Sequence, residues 1–281
     1  MKLLALEITP KTPFGTYPKG DTLFGQIVSH FFLKGWKDFE EKDPPKLIVS
    51  DMMPQGYVYR PSLPSKCFGE MDKKELRKKK FIKLEDLHAG NLEKVSEVDF
   101  FKVVNNVKNS INRVTFSTEG KEFAPYGVVE YEFFRKMWLM MLVWEDIEEK
   151  VLDVLDEIGK FGFGKDISIG KGKFDFKPID PPGFWQERSE WYMAISPVSL
   201  RGVRSASYEP FVRFGKFGLE RAQKNAFKRP VMVADSGAVA RFEEGREFFG
   251  EILENGNNRY RSYYQACSIA IPIKEPKCLS K

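Results

Sequence analysis

A glycine- and lysine-rich segment in the middle of the chain follows an amphipathic, acidic segment. Residues 162–174 read GFGKDISIGKGKF and contain four glycines and three lysines. Glycine allows positive φ angles and lets backbone N–H groups approach an anion closely. Lysines supply the positive charge that attracts phosphate. The segment therefore predicts a phosphate-binding loop, with an ordinary helix-to-strand connector capped by glycine as the alternative.

Two common nucleotide-binding loops do not fit this segment. The mononucleotide motif G-x-x-x-x-G-K-[ST], aligned on residues 170–171, needs glycine at 165 and a hydroxyl residue at 172. The chain has Lys165 and Gly172 there. The dinucleotide motif G-x-G-x-x-G, aligned on Gly162 and Gly164, needs a third glycine at 167 and a helix afterwards. Position 167 is isoleucine, so both classes of site are excluded.

Charge is unevenly distributed along the chain, although the net charge is only +5 over 281 residues. Residues 199–230 contain eight basic and two acidic side chains, whereas residues 145–157 contain seven acidic side chains and one lysine. Basic segments with interspersed Phe and Tyr are typical of surfaces that bind a polyanion and stack its bases. A solvated charged face is the alternative for each segment taken alone.

The remaining composition argues against several classes of protein. The longest apolar run, Met137 to Trp144, is too short to span a bilayer. Cys67, Cys267 and Cys278 form no C-x-x-C pair, which indicates a reduced, cytoplasmic protein without a structural zinc site. No cluster of residues has metal-ligand spacing, so we expect neither a metal nor another cofactor.

Hydrophobic periodicity predicts an α+β fold. Alternation marks a strand around Leu4 to Ile8, and a helical apolar stripe follows Asp21, the expected N-cap. Two further strands, a second amphipathic helix and a returning strand follow, at residues 129–133, 137–144, 147–158 and 173–176. This order is that of a ferredoxin-like (βαββαβ) unit.

The chain divides into two predicted domains. Residues 1–180 would form a ferredoxin-like domain with an insertion at about 43–100 and the glycine-rich loop at 162–172. Residues 184–281, after a Pro-rich linker, would form a second ferredoxin-like domain. Its predicted elements are strands at 191–195, 231–240 and 268–273 and a short helix near 243–253.

Five segments, in this order, resemble motifs of RAMP-superfamily CRISPR proteins. The similarity is greatest to the fourth subunit of the type III-A (Csm) effector complex, although Lys165 replaces a common second glycine of the loop motif. The segments are KGDTLFG at 19–25, SDMMP with YRPSLP at 50–64, NRVT at 112–115, the loop at 162–174, and RPVMVADSG at 229–237.

The resemblance implies a non-catalytic, RNA-binding subunit. Such subunits bind the 5′ handle of the crRNA and join the large polymerase-like subunit to the backbone RAMP subunit. Arg113 is expected on a strand of the first domain, and Lys165, Ser168 and Lys171 are expected to contact phosphate. The full set of expected RNA-binding residues is Phe14, Tyr17, Lys19, Arg113, Gly162, Gly164, Lys165, Ser168, Gly170, Lys171, Gly172, Arg201 and Arg204.

Two other functions stay open at this point. Related RAMP endoribonucleases that process crRNA often use a histidine of the first helix as general base, and His30 lies in that helix. Those enzymes carry their glycine-rich loop near the C-terminus, whereas here it lies mid-chain. The third possibility is a scaffold subunit whose basic faces bind acidic proteins and no RNA.

Overall fold

The structure is a computed structural model that describes residues 1–41, 43–118, 124–218, 226–276 and 278–279. It is a mixed chain of helices and antiparallel sheets, as the predicted α+β class requires. None of the described helices combines the length and apolar character needed to cross a bilayer. The helices are α1 (Gly20–Leu33), α2 (Lys73–Lys78), α3 (Leu84–Ala89) and α4 (Glu148–Phe161).

The first half is built on an antiparallel sheet with the spatial order β2-β8-β1-β9, and β3 pairs with β8 beside β2. Its central strands pair from Lys2↔Val143 to Ile8↔Met137. Every residue of β8 is buried, because both faces of the sheet are covered. The strands are β1 (Lys2–Pro10), β2 (Leu47–Val49), β3 (Met53–Pro54), β8 (Met137–Val143) and β9 (Phe174–Ile179).

Helices α1 and α4 pack against each other and bury the apolar stripes that the sequence predicts. Lys150 of α4 contacts Asp38 beyond the end of α1, while Gln26 of α1 contacts Gly162 at the end of α4. The helices therefore run antiparallel, and the glycine-rich loop lies beside the first half of α1. The predicted N-cap is wrong by two residues: Lys19 takes the cap position and Asp21 lies in the first turn.

The second half contains a five-stranded antiparallel sheet with the order β11-β14-β10-β16-β15. The predicted helix near residues 243–253 is wrong, because residues 248–254 form strand β15, paired with β16. Among the described residues of 184–281 no α-helix occurs; β16 packs against α1 and α3 of the first half instead. The strands are β10 (Trp191–Ala194), β11 (Ser205–Ser207), β14 (Val239–Arg241), β15 (Phe248–Glu254) and β16 (Tyr263–Ile273).

The segment expected to be an insertion is largely packed into the molecule. Its first strand, β2, pairs with β8 of the main sheet. Leu76 of α2 and Leu87 of α3 are buried in the core, and Arg60 donates a hydrogen bond to the Leu76 carbonyl. The basic run around α2 is therefore attached to the core through Leu76. Strands β4 (Tyr57–Tyr59) and β5 (Phe81–Lys83) form a small sheet here.

Two further two-stranded ribbons complete the fold. One pairs β6 (Phe101–Lys108) with β7 (Tyr126–Phe133), and the other pairs β12 (Pro210–Arg213) with β13 (Val231–Ala234). Residues 119–123 and 219–225 of the connecting segments lie outside the described residues.

The expectation of three reduced cysteines is wrong in this structure. Cys67, in a 3₁₀ turn, and Cys278 form a disulfide with a Cα–Cα distance of 5.3 Å. Cys267 is free and buried. The pairing joins residues 211 positions apart, so sequence spacing could not reveal it.

Candidate nucleic-acid interface

The glycine-rich loop owes its shape to backbone angles that other residues rarely adopt. Gly162 has φ 122° and ψ 153°, a combination open essentially to glycine alone. A Cβ atom at Gly162 would collide with the carbonyl oxygen of Lys171, and one at Gly172 with that of Phe163. The two ends of the loop therefore approach each other closely only because both positions are glycine.

The glycine N–H groups of the loop donate within the protein. Gly164 N–H donates to Gln26 Oε1 at 3.1 Å, and Gly172 N–H donates to the Pro13 carbonyl at 2.9 Å. Gly162 and Gly170 N–H groups donate to the Ile158 and Ile167 carbonyls at 2.7 and 2.9 Å. These internal partners do not favour the expected role of the glycines as backbone donors to phosphate, and the role that the structure shows for Gly162 and Gly172 is conformational.

Residues outside the predicted set hold the loop in place. Gln26 also donates from Nε2 to the Gly162 carbonyl at 2.9 Å, so its amide bonds both sides of the turn. Thr16 Oγ1 accepts the Lys165 N–H at 3.0 Å. The sequence signals neither contact, because both join residues more than 130 positions apart. They fix the loop against the 12–17 segment and leave the side chains of Lys165 and Ser168 exposed.

Lys171 ties the loop to the β6–β7 ribbon. Its Nζ lies 2.6 Å from Oε2 of the buried Glu130, and Lys108 Nζ lies 3.5 Å from Oε1 of the same carboxylate. The hydrogen bond from Lys171 is the main reason that the pKa of Glu130 lies below its ordinary value. Lys171 is thus engaged with a protein carboxylate, which does not favour its expected contact with phosphate.

Of the two aromatic residues before α1, Phe14 belongs to the core and Tyr17 is partly buried against it. Phe14 is fully buried against Phe133 and Phe163, and its backbone pairs with Tyr131. Phe14 thus fills the core, which does not favour its expected contact with RNA. Tyr17 packs edge-on against Tyr131, and burial raises its pKa to about 12.

Lys19 lies at the junction of the two halves. Its Nζ is 2.6 Å from Asp235 Oδ1 and 3.2 Å from Asp51 Oδ2, and Ser236 lies within hydrogen-bond distance. Burial alone would lower the pKa of Lys19, but the carboxylates of Asp51 and Asp235 outweigh it, and the pKa lies above its ordinary value. Lys19 is thus engaged in an ion-pair network within the protein, which does not favour its expected contact with RNA.

A second buried ion pair crosses the same junction. Arg213 Nε lies 2.7 Å from Asp21 Oδ2, and Arg213 Nη2 lies 2.8 Å from Asp21 Oδ1, a bidentate arrangement. Asp21 is buried, and it lies in the first turn of α1. This contact anchors the β12–β13 ribbon to the start of the first helix.

Arg113 lies in a turn, so its predicted strand is wrong. Asn112 Oδ1 accepts the Val114 N–H at 2.9 Å, a local side-chain bond that stabilises turns at the expense of strand pairing. Arg113 is exposed beyond the end of β6.

Arg201 and Arg204 are exposed in the second half, around the turn at 201–202. Their nearest carboxylates also belong to that half: Arg201 lies 3.7 Å from Glu251, and Arg204 lies 2.8 Å from Glu243. Both side chains are accessible to a ligand, unlike Phe14 and Lys19.

His30 is paired with an acid of α4. Its Nδ1 lies 3.5 Å from Glu157 Oε2, and Lys34 Nζ lies 2.7 Å from Glu157 Oε1. The lysine is the main reason that the pKa of Glu157 lies below its ordinary value. In the part of the chain that the structure describes, no group of three or more His, Cys, Asp or Glu side chains is placed to hold a metal ion.

Chains of two solved assemblies share this fold over nearly their whole length. A chain of the "Csm1-Csm4 cassette in complex with AMPPNP" matches with a TM-score of 0.58 and 16% identity, over 98% of this chain and 99% of that chain. A chain of the "Csm3-Csm4 subcomplex in the type III-A CRISPR-Cas interference complex" matches with a TM-score of 0.63 and 13% identity, over 97% and 100%. No protein-family model and no curated protein matches the sequence. The resemblance derived from the motifs is confirmed as a likeness of fold.

Proposed function

We propose that this chain is an RNA-binding subunit of a type III-A CRISPR (Csm) effector complex. In this proposal it binds the 5′ handle of the crRNA and links the large polymerase-like subunit to a backbone RAMP subunit. Catalysis would belong to other subunits of the complex.

One observation carries the proposal: the same fold occurs in an assembly with Csm1 and in an assembly with Csm3, and Csm4 is common to both. A subunit that contacts both neighbours is suited to joining them. The serial order of the motifs at 19–25, 50–64, 112–115, 162–174 and 229–237 supports the same conclusion from the sequence.

The fold also supports two ferredoxin-like domains as a proposal. In the first half β1, α1, β2, β8, α4 and β9 follow one another in the ferredoxin-like order of strands and helices. In the second half β16 packs on α1 and α3. We propose a boundary in the 180–184 linker. In this proposal α1 and α3 of the first domain pack on the sheet of the second domain.

Co-purification tests the proposal most directly. The full chain, expressed with a Csm1-type and a Csm3-type subunit and a crRNA precursor, should bring down both proteins and an RNA with a repeat-derived 5′ end. Sequencing of the retained RNA identifies that end. Capture of both subunits without RNA would instead support the scaffold function, and capture of neither would contradict the proposal.

Lys165 is the loop residue best placed to meet RNA, because its side chain is exposed and the Asp166 carboxylate lies 4.0 Å from its Nζ. Lys165→Ala should weaken binding of handle RNA and reduce the slope of log K against log salt by about one. Fluorescence anisotropy across a salt series measures both quantities. Lys37→Ala removes the same charge at the other end of α1 and should change neither. Equal slopes for Lys165→Ala and the wild type would remove the loop from the interface.

His30→Ala separates this proposal from the endoribonuclease alternative. His30 is paired with Glu157 on the α1–α4 side of the molecule, and we expect the substitution to leave crRNA processing unchanged. Northern analysis of repeat-containing transcripts measures the ratio of precursor to mature RNA. Accumulated precursor, with normal levels of the folded variant, would favour the nuclease.

A further inference from the structure

The β12–β13 ribbon, which the Lys216–Phe227 bridge extends, has exposed side chains on one face and buried or partly buried side chains on the other. Along residues 211–217 the side chains at 212, 214 and 216 are exposed, and on the facing strand those at 227, 229, 230 and 232 are exposed. Val212 pairs with Met232, and Lys216 forms a bridge with Phe227. The ribbon therefore has two distinct faces.

The inner face is fixed to the rest of the molecule. Val231 and Val233 are buried and pack with Tyr264 of β16 and with Phe211. Arg213 forms the bidentate pair with Asp21, and Lys19 Nζ lies 4.9 Å from the centre of the Phe211 ring. The inner face of the ribbon is thus held next to the start of α1 by apolar packing and by the Arg213–Asp21 ion pair.

The outer face carries several large apolar side chains, although it is exposed to solvent. Met232 is 76% exposed, Phe214 70% and Phe227 61%, and Val212 is also exposed. An antiparallel ribbon whose inner face is buried normally presents polar residues on the other side. The four exposed apolar side chains on one face therefore indicate a binding surface.

The charge on the ribbon identifies the kind of partner. Residues 210–218 and 226–234 contain four basic and no acidic side chains. Lys216 Nζ lies 4.7 Å from the centre of the Phe227 ring, which places a cation beside an exposed aromatic face. Exposed rings flanked by cations, without a carboxylate, match the bases and phosphates of a single strand of RNA.

We propose that the outer face of the β12–β13 ribbon is a stacking platform for unpaired nucleobases of an RNA. Phe214 and Phe227 supply the rings, and Lys216 meets an adjacent phosphate. The assignment rests on the proposed RNA-binding function and adds to it a second contact region, distinct from the glycine-rich loop.

Binding of a fluorescein-labelled oligouridine to the purified full chain tests the assignment by anisotropy. Phe214→Ala with Phe227→Ala should lower the affinity about thirty-fold or more, because the two bases stacked on these rings lose their contacts. Leucine at both positions keeps the apolar area but has no π-face, so it should lower the affinity nearly as much. Tyrosine at both positions keeps the π-face and should bind oligouridine with the affinity of the wild type. Phe32→Ala, on the exposed side of α1, is the matched control and should leave the affinity unchanged.

The outcomes distinguish a failure of the stacking platform from a failure of the proposed function as a Csm subunit. Unchanged affinity in the alanine pair, with a loss in Lys165→Ala, would overturn the platform and leave the proposed function standing. Oligouridine binding that depends on the two phenylalanines, in a chain that captures neither Csm-type subunit, would support the platform and contradict the proposed function. Leucine variants that bind RNA normally, or a wild-type chain that binds no oligouridine, would overturn the platform. If the leucine variants bind RNA normally and the alanine pair no longer captures a Csm-type subunit, the face is a protein interface.

Discussion

Gly162→Ala is expected to destabilise the protein by about 3 kcal/mol or more and to disorder the glycine-rich loop. The backbone at Gly162 lies in a region essentially restricted to glycine, and a Cβ atom there would strike the Lys171 carbonyl oxygen. Since Gln26 bonds both Gly162 and Gly164, relief of the collision would break those two hydrogen bonds as well. Urea unfolding measured by circular dichroism gives the free energy of unfolding.

Gly170→Ala is the matched control in the same loop. Gly170 also has a positive φ, 83°, but a Cβ atom there would meet open space. Only the left-handed backbone penalty applies, so about 1–2 kcal/mol is expected. Similar losses for the two variants would show that the close approach of the loop ends does not matter for stability.

Arg213→Met is the second large expected effect, a loss of about 3–5 kcal/mol. The substitution keeps most of the side-chain volume but leaves the buried carboxylate of Asp21 without the guanidinium that it faces at 2.7 and 2.8 Å. Because Arg213 joins the ribbon to α1, the loss should be accompanied by faster hydrogen exchange in both β12 and the first turn of α1. Urea unfolding and exchange measured by mass spectrometry provide the two readouts.

Arg241→Met is the control that tests whether the loss of any ion-paired arginine destabilises the protein as much. Arg241 pairs with Glu190 at 2.6 Å, but both side chains are more than half exposed. Exposed pairs contribute about 0–1 kcal/mol, so this variant should unfold close to the wild type. A loss for Arg213→Met within 1 kcal/mol of that for Arg241→Met would contradict a structural role of the buried pair.

Several parts of this fold follow from local sequence patterns. The apolar stripe of α1, the alternation in β1 and the length of α4 depend on periodicities of 3.6 and 2 residues, which can be read without knowledge of distant contacts. The same is true of the turn-containing segment between β13 and β14, where Asp235, Ser236 and Gly237 interrupt two strands. The identity of the loop as glycine-rich also needs no more than the sequence.

Other parts depended on contacts between distant residues. Residues 243–253 contain enough helix-favouring glutamate to predict a helix, but pairing with β16 outweighed that propensity. Lys19, Lys171 and Phe14 carry the residue types of an RNA site, yet burial and facing carboxylates engage them within the protein. Such outcomes depend on which groups meet in three dimensions.

The sequence by itself therefore determined the α+β class, the helices α1 and α4, the glycine-rich loop and the resemblance that the fold comparison supports. Only the tertiary structure decided which cations stay accessible, because a lysine beside a buried carboxylate and a lysine in water look identical in one dimension. It also decided the role of the basic, aromatic segment around residues 210–234: strand pairing with period-2 alternation buries Arg213 against Asp21 and leaves Phe214 and Phe227 exposed on the opposite face.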